Sequence, residues 1–203
     1  MFTKLNNTGL SMQHIRILTL FTHGFDRAFY GREVSKLLSV SSRTSAKLLD
    51  DLEHKGILTS TYKGRTKLFF LNDTFLARRY LQLAEYHKMI MFLEARPVLQ
   101  EIASELSTIV EGMVVFFGSR VKGLEKDDSD LDVLIVGNYD ELLVKHCSKK
   151  YGVEIDVKNY SKKEFLSRKS SDILLKEVIK NHIIIQGVED FMMVTGDEKN
   201  RLV

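Results

Sequence analysis

Two short runs in this 203-residue chain combine residue types and spacing suited to chemistry. The first is Phe117-Gly118-Ser119-Arg120-Val121-Lys122-Gly123. The second is Ser129-Asp130-Leu131-Asp132-Val133-Leu134-Ile135-Val136. An apolar run ends in a Gly-Ser turn, and another apolar run opens with two acids one residue apart. Gly118 lets the backbone approach a triphosphate, and Ser119 offers hydroxyl and amide donors to an anion. Gly123 keeps the following turn free of a side chain, while Arg120 and Lys122 offer charge to phosphates. Ser129 joins these nucleotide-binding candidates, chiefly as the turn residue that holds the acid loop. Alternate strand residues share a face, so Asp130 and Asp132 project side by side, roughly 6–7 Å apart at the backbone. A phosphate cradle beside a divalent-metal site implies a nucleotide-handling enzyme.

The elements that must position these residues follow from the rest of the chain. With 44% hydrophobic and 28% charged residues, the sequence is that of a globular protein, long enough for two small domains. The first ten residues lack the basic start and apolar core of a signal peptide, and no apolar run reaches membrane-spanning length, so a cytoplasmic protein with no membrane partner is expected. Cys147 is alone, which excludes disulfide frameworks and cysteine-rich zinc sites. Residues 1–97 hold 15 Lys+Arg against 8 Asp+Glu, and residues 98–203 hold 15 against 19. The only proline, Pro97, falls where the sign changes from basic to acidic. A basic half joined to an acidic one fits a DNA-facing module attached to a metal-dependent module.

In the basic half, Met12 to Phe21 and Gly31 to Leu38 read as short helices, the second with Val34, Leu37 and Leu38 inward. A third helix is expected from an N-cap at Ser41 to Gly56, with Ala46, Leu49 and Leu52 as its buried stripe. Ile57 to Tyr62 and Thr66 to Leu71 read as strands around the turn Lys63-Gly64-Arg65. This order resembles the winged helix-turn-helix of archaeal and bacterial transcriptional regulators. The resemblance rests on Phe29-Tyr30-Gly31-Arg32-Glu33 at the start of helix two, Leu52-Glu53-His54-Lys55-Gly56-Ile57-Leu58 at the exit of helix three, and the wing turn. It implies that Arg43, Thr44 and Lys47 face DNA bases or phosphates and that Lys63 and Arg65 contact phosphates. Protein docking or dimerisation is the other use of such a module.

Thr74 to Glu94 reads as one long helix, with Leu76, Tyr80, Leu83, His87 and Ile90 on one stripe and further apolar residues in other directions. A helix apolar on several sides needs several partners, and a homodimer is the favoured reading. Beyond Pro97, a helix is expected through Leu106, then strands at Val110–Phe117, Leu131–Val136 and Val153–Lys158, helices at Asp140–Tyr151, Ser161–Leu166 and Asp172–Asn181, and an apolar run at Ile183–Ile185.

Gly118-Ser119-Arg120-x-x-Gly123 followed by Ser129-Asp130-Leu131-Asp132 resembles the minimal nucleotidyltransferases of the DNA polymerase β-like superfamily, over roughly residues 97–190. The resemblance implies a third carboxylate on a neighbouring strand. Asp156 is the candidate, and Glu154, on the same strand face, is its rival. Asp130, Asp132 and Asp156 would then hold two Mg²⁺ about 4 Å apart, with Asp156 also orienting or deprotonating an attacking hydroxyl. ATP, or another nucleoside triphosphate, would donate a nucleoside monophosphate to a hydroxyl acceptor. Some such enzymes adenylylate a HEPN-type toxin, in which case the winged helix would autoregulate the operon. A regulator whose transferase-like domain only senses nucleotide is the alternative; an enzyme modifying an antibiotic or other small molecule is a third reading. The expected fold is mixed α/β (α+β) in two domains. A winged helix-turn-helix at residues 1–73 is followed by a connector and possible dimerisation helix at 74–96. A nucleotidyltransferase domain at 97–203 completes it, with a small mixed sheet flanked by helices.

Overall fold

A computed structural model of the chain describes residues 9–25, 27–124 and 129–196. The expected outer bounds of the two domains, residues 1 and 203, lie outside the described residues. Backbone contacts divide the chain into one unit of Met1–Thr22 with Asp26–Ala84 and a second of His23–Phe25 with Glu85–Val203.

The first unit contains α1 (Met12–Phe21), β1 (Ala28–Tyr30), α2 (Gly31–Leu37), α3 (Ser42–His54), β2 (Leu58–Lys63) and β3 (Thr66–Leu71). The strands pair antiparallel in the order β1-β3-β2. This is a winged helix-turn-helix, with the β2–β3 hairpin as its wing and Gly64 at φ +63° in the turn. Ile17, Leu18 and Phe21 of α1, Val34 of α2, and Leu49 and Leu52 of α3 form its buried interior. Ser41 caps α3 by accepting from the Thr44 N–H at 3.0 Å. Three expectations are corrected. The inward stripe of α3 is Ser45, Leu49 and Leu52, while Ala46 is exposed. Ser45 tolerates burial because its hydroxyl finds the carbonyls of Gly31 and Ser42, each at 3.0 Å. Leu37 is exposed rather than inward. Phe29 and Tyr30 belong to a third strand, not to α2. Tyr30 is extended (φ −82°, ψ 149°) and caps the helix, and its N–H donates to the Glu33 carboxylate at 2.8 Å.

Helix α4 (Phe75–Glu94) contains the boundary between the units. It buries Ala77, Leu81, Ala84, Glu85 and Phe92, whereas Leu76, Leu83 and Ile90 of the expected stripe are about half exposed.

The second unit continues with α5 (Pro97–Ile109), β4 (Val110–Phe117), α6 (Gly118–Lys122), β5 (Leu131–Tyr139), α7 (Glu141–Tyr151), β6 (Ile155–Tyr160), α8 (Lys162–Arg168), α9 (Ile173–Lys180), β7 (Ile183–Gln186) and α10 (Val188–Gly196). Its sheet runs β6-β5-β4-β7, with β5 and β6 parallel and the other pairs antiparallel. Strand alternation gives the sheet two apolar faces. On one, Val114, Phe116, Val133 and Ile135 pack with Ile102 and Leu106 of α5 and with Val144 and Cys147 of α7. On the other, α8 lies against β5 and β6 and α10 against β4, with Phe165 and Phe191 fully buried. Strand β6 starts at Ile155 rather than Val153. Gly152 ends α7 in a left-handed conformation at φ +64°, and the Val153 N–H turns back to the Ser148 carbonyl at 3.3 Å. Among the described residues, no helix is long and apolar enough to cross a membrane.

Candidate active site

Sheet register brings the acids together. Phe117, the last residue of β4, stands opposite Asp132, and Asp132 stands opposite Asp156 on β6. Glu154 lies one residue before β6, where its carbonyl accepts the Leu131 N–H at 2.7 Å. Asp156 is therefore the register partner of Asp132. Asp130 precedes the strand and is exposed, while Asp132 is partly buried. Burial, then the negative charges of Asp156 and Asp130, push the Asp132 carboxyl above its usual range, with Lys158 and Lys122 acting the other way. This mutual repulsion is what a bound cation relieves.

Gly118 follows β4 at φ +77°, and a Cβ placed there would lie 1.8 Å from Asp132 Oδ2. The backbone at this turn thus runs directly against the central carboxylate, a packing open only to glycine. Ser119 is the second residue of the one-turn helix α6, and its hydroxyl makes no hydrogen bond among the described residues. Gly123 ends α6 at φ +67°, where a Cβ would meet nothing within 4 Å, so backbone conformation rather than space selects glycine there.

The two cations of the turn are engaged with protein groups. The Arg120 Nε donates to the Ser129 carbonyl at 2.8 Å and to the Asp130 carbonyl at 3.2 Å, and its Nη2 also reaches the Ser129 carbonyl. Arg120 therefore ties α6 to the segment that carries the first acid. Lys122 pairs with Glu177 of α9 at 2.6 Å. A residue that sequence reasoning did not single out, Lys158, places its Nζ 3.1 Å from Asp156 Oδ1 and 3.0 Å from Oδ2. Strand period was the available signal, because Asp156 and Lys158 are two apart and share a face.

Hard carboxylate oxygens suit Mg²⁺, which commonly takes one or two carboxylates and completes its shell with water and substrate phosphates. The donor set fits in that sense. Among the described residues, however, no group of three His, Cys, Asp or Glu side chains converges to hold a metal ion by itself.

In the first unit, an open groove of about 730 Å³ is lined by His14, Arg43, Thr44, Lys47, Leu48, Asp50, Asp51 and His54. Three of the residues expected to face DNA therefore line one groove. The acids nearby are paired with lysines, Asp51 with Lys55 at 3.0 Å and Asp50 with Lys67 at 2.9 Å. The His14 Nε2 lies 3.0 Å from Asp51, and burial pushes that imidazole below its ordinary pKa. Arg43, Lys47, Lys63 and Arg65 make no ion pair among the described residues. The Thr44 hydroxyl is shared with the Ser41 cap at 2.8 Å. Tyr62, at the wing and exposed, is a further surface aromatic that sequence reasoning passed over.

Residues 98–184, which lie in the second unit, match the family model for the nucleotidyltransferase domain. Among solved structures, the chain is similar to the adhesin competence repressor AdcR of Streptococcus pyogenes (21% identity, TM-score 0.39), covering 47% of this chain and 69% of that one. It is also similar to a MarR-family transcriptional regulator of Rhodococcus sp. RHA1 (25% identity, TM-score 0.34), covering 39% of this chain and 55% of that one. A third similar structure is a toxin–antitoxin with AMP-PNP (18% identity, TM-score 0.34), covering 57% of this chain and 87% of the other. No curated protein matches the sequence.

Proposed function

We propose that the protein is an Mg²⁺-dependent nucleotidyltransferase that moves AMP from ATP to a hydroxyl on a partner protein, such as a HEPN-type toxin, while its winged helix binds DNA for autoregulation. The observation that carries this reading is the register of Asp132 beside Asp156, with the Gly118 backbone against Asp132. Asp130, Asp132 and Asp156 would hold two Mg²⁺, which when bound supply charge neutralisation to the triphosphate and the attacking oxygen. The turn at Gly118-Ser119 positions the phosphates. Asp156 takes the proton of the acceptor hydroxyl as the acceptor O–Pα bond forms and the Pα–O bond to pyrophosphate breaks. Positioning and charge stabilisation supply most of the rate. The exposed Leu76, Leu83 and Ile90 of α4 support a homodimer through that helix.

A nucleotide sensor is the second reading, favoured by the lack of a closed three-acid cage among the described residues. Both are tested by incubating the protein, Mg²⁺ and α-labelled ATP with a HEPN-type protein as acceptor, the first choice being one encoded by a neighbouring reading frame where such a frame is found. Wild type transfers label to the partner, and an Asp130→Asn/Asp132→Asn variant does not. Nucleotide binding with no transfer to any acceptor would establish the sensor instead.

A further inference from the structure

The acid of the site that lies on β6 is not free. Both oxygens of Asp156 face the Lys158 ammonium, at 3.1 and 3.0 Å. The pairing follows from the strand itself, since residues two apart project from the same face. Asp132, across the ladder from Asp156, has no such partner among the described residues and carries the repulsion of its neighbours. Among the described residues, the site thus places a close ammonium on the carboxylate that would have to turn toward a metal, and no three acids converge.

The strength of this pairing is suited to release. Both side chains are more than two-fifths exposed, and ion pairs at such exposure are weak. A lysine stem is flexible and its ammonium is satisfied by any nearby anion. A triphosphate entering beside Gly118 supplies that anion while its metal supplies a stronger counter-charge to Asp156. A metal ion arriving alone offers Lys158 no new partner and must displace it at a net cost.

We propose that Lys158 is a positioning residue that holds Asp156 as an internal counter-ion, so that this carboxylate passes to a divalent cation only when a nucleoside triphosphate arrives with it. The proposal rests on the transferase reading of the three acids. Its consequence is ordered loading: the site takes the metal–nucleotide complex in preference to free metal.

The test is Mn²⁺ binding to the full-length protein followed by electron paramagnetic resonance, with no nucleotide and no turnover. Lys158→Met should tighten Mn²⁺ binding about three- to fivefold, the scale of an exposed ion pair. Lys158→Arg, which keeps the charge, should match wild type. In an Asp156→Asn background, Lys158→Met should change nothing, because the ion pair it removes is already absent. With a saturating non-hydrolysable ATP analogue, the gap between wild type and Lys158→Met should close. Equal Mn²⁺ affinity in wild type and Lys158→Met, or tightening that persists in full in the Asp156→Asn background, overturns the proposal. Loss of Mn²⁺ binding in Asp132→Asn keeps the underlying reading intact in either case. If neither wild type nor Lys158→Met binds Mn²⁺ without nucleotide, the proposal falls, because removing Lys158 has not freed Asp156 for a metal; the transferase reading is then judged by label transfer alone.

Discussion

Gly118 is the residue at which conformation, packing and chemistry meet. Its φ of +77° excludes ordinary side chains, and a Cβ there would overlap Asp132 Oδ2 at 1.8 Å. The overlap extends to Asp132 Cγ at 2.6 Å, so the whole carboxylate would have to turn away while its backbone stays in register between Phe117 and Asp156. Gly118→Ala should therefore move Asp132 by an ångström or so, and misplacement on that scale costs about 100-fold in rate. Label transfer under single-turnover conditions measures the loss, and a thermal melt separates it from unfolding. A Gly118→Ala protein that folds and transfers at the wild-type rate would show that the turn does not set the position of Asp132. Gly123→Ala provides the contrast. Its left-handed backbone is strained by a side chain, but no atom lies within 4 Å of the added Cβ, so the acids should keep their geometry.

At the scale of elements, much was legible from sequence because local signals and tertiary packing agree. The Ser41 cap, the Gly64 wing turn, and the strand–turn–helix around Gly118 each carry a residue type that the local backbone demands. The misses share a cause: they depend on what packs against an element rather than on the element's own pattern. Ser45 replaces Ala46 inside because the Gly31 carbonyl accepts its hydroxyl. β1 is three residues long, too short to show alternation, and exists only by pairing with β3. In the site, Asp130 and Asp132 stood out by spacing, whereas the partner of Asp156 emerged only with the register and the position of Lys158.

Helix α4 gives the clearest case, because its buried side contains a charge. Glu85 is fully buried, with Oε1 3.0 Å from His182 Nε2 and Oε2 2.7 Å from Lys88 Nζ. The His182 Nδ1 faces the carbonyls of Val178 and Ile179 at 3.0 Å each, and its ring stands 4.7 Å from Phe191. Burial alone would raise the Glu85 carboxyl, but His182 and Lys88 outweigh it and hold it down to about 2. A depressed carboxylate contributes stability that is fully present above its ordinary value of 4.5 and is lost as pH falls toward 2. Glu85→Gln removes one charge of the buried Glu85–Lys88 pair, and breaking such a pair from one side typically costs about 3–5 kcal/mol. Urea unfolding should show that loss at pH 7 and a much smaller difference from wild type near pH 3. A loss of equal size at both pH values would mean that shape, not charge, makes Glu85 necessary.

Across the whole molecule, each of the two sites lies within one unit, and the charge distribution suits them differently. The basic amino-terminal half contains cations left unpaired, among the described residues, at the α3 groove and the wing, while the nearby Asp51 and Asp50 pair with Lys55 and Lys67. Such an arrangement raises local positive potential without raising net charge much, since the full chain is only +3. Phosphate contacts made by those cations release counterions, so DNA affinity should fall steeply with salt. Shift assays on the protein's own promoter region should show that Arg43→Ala, Lys47→Ala and Lys63→Ala each weaken binding. Removing one cation that touches a phosphate should reduce the slope of log affinity against log salt by about 1. A change at a base-reading residue would instead relax sequence preference while leaving the slope nearly unchanged. Asp130→Asn/Asp132→Asn, whose changes lie in the other unit, should abolish transfer and leave the shift assay as in wild type. Unchanged affinity and salt slope in the Arg43, Lys47 and Lys63 variants would show that these cations are not the contacts to DNA. The same cations would then be tested against the acidic surface of a partner.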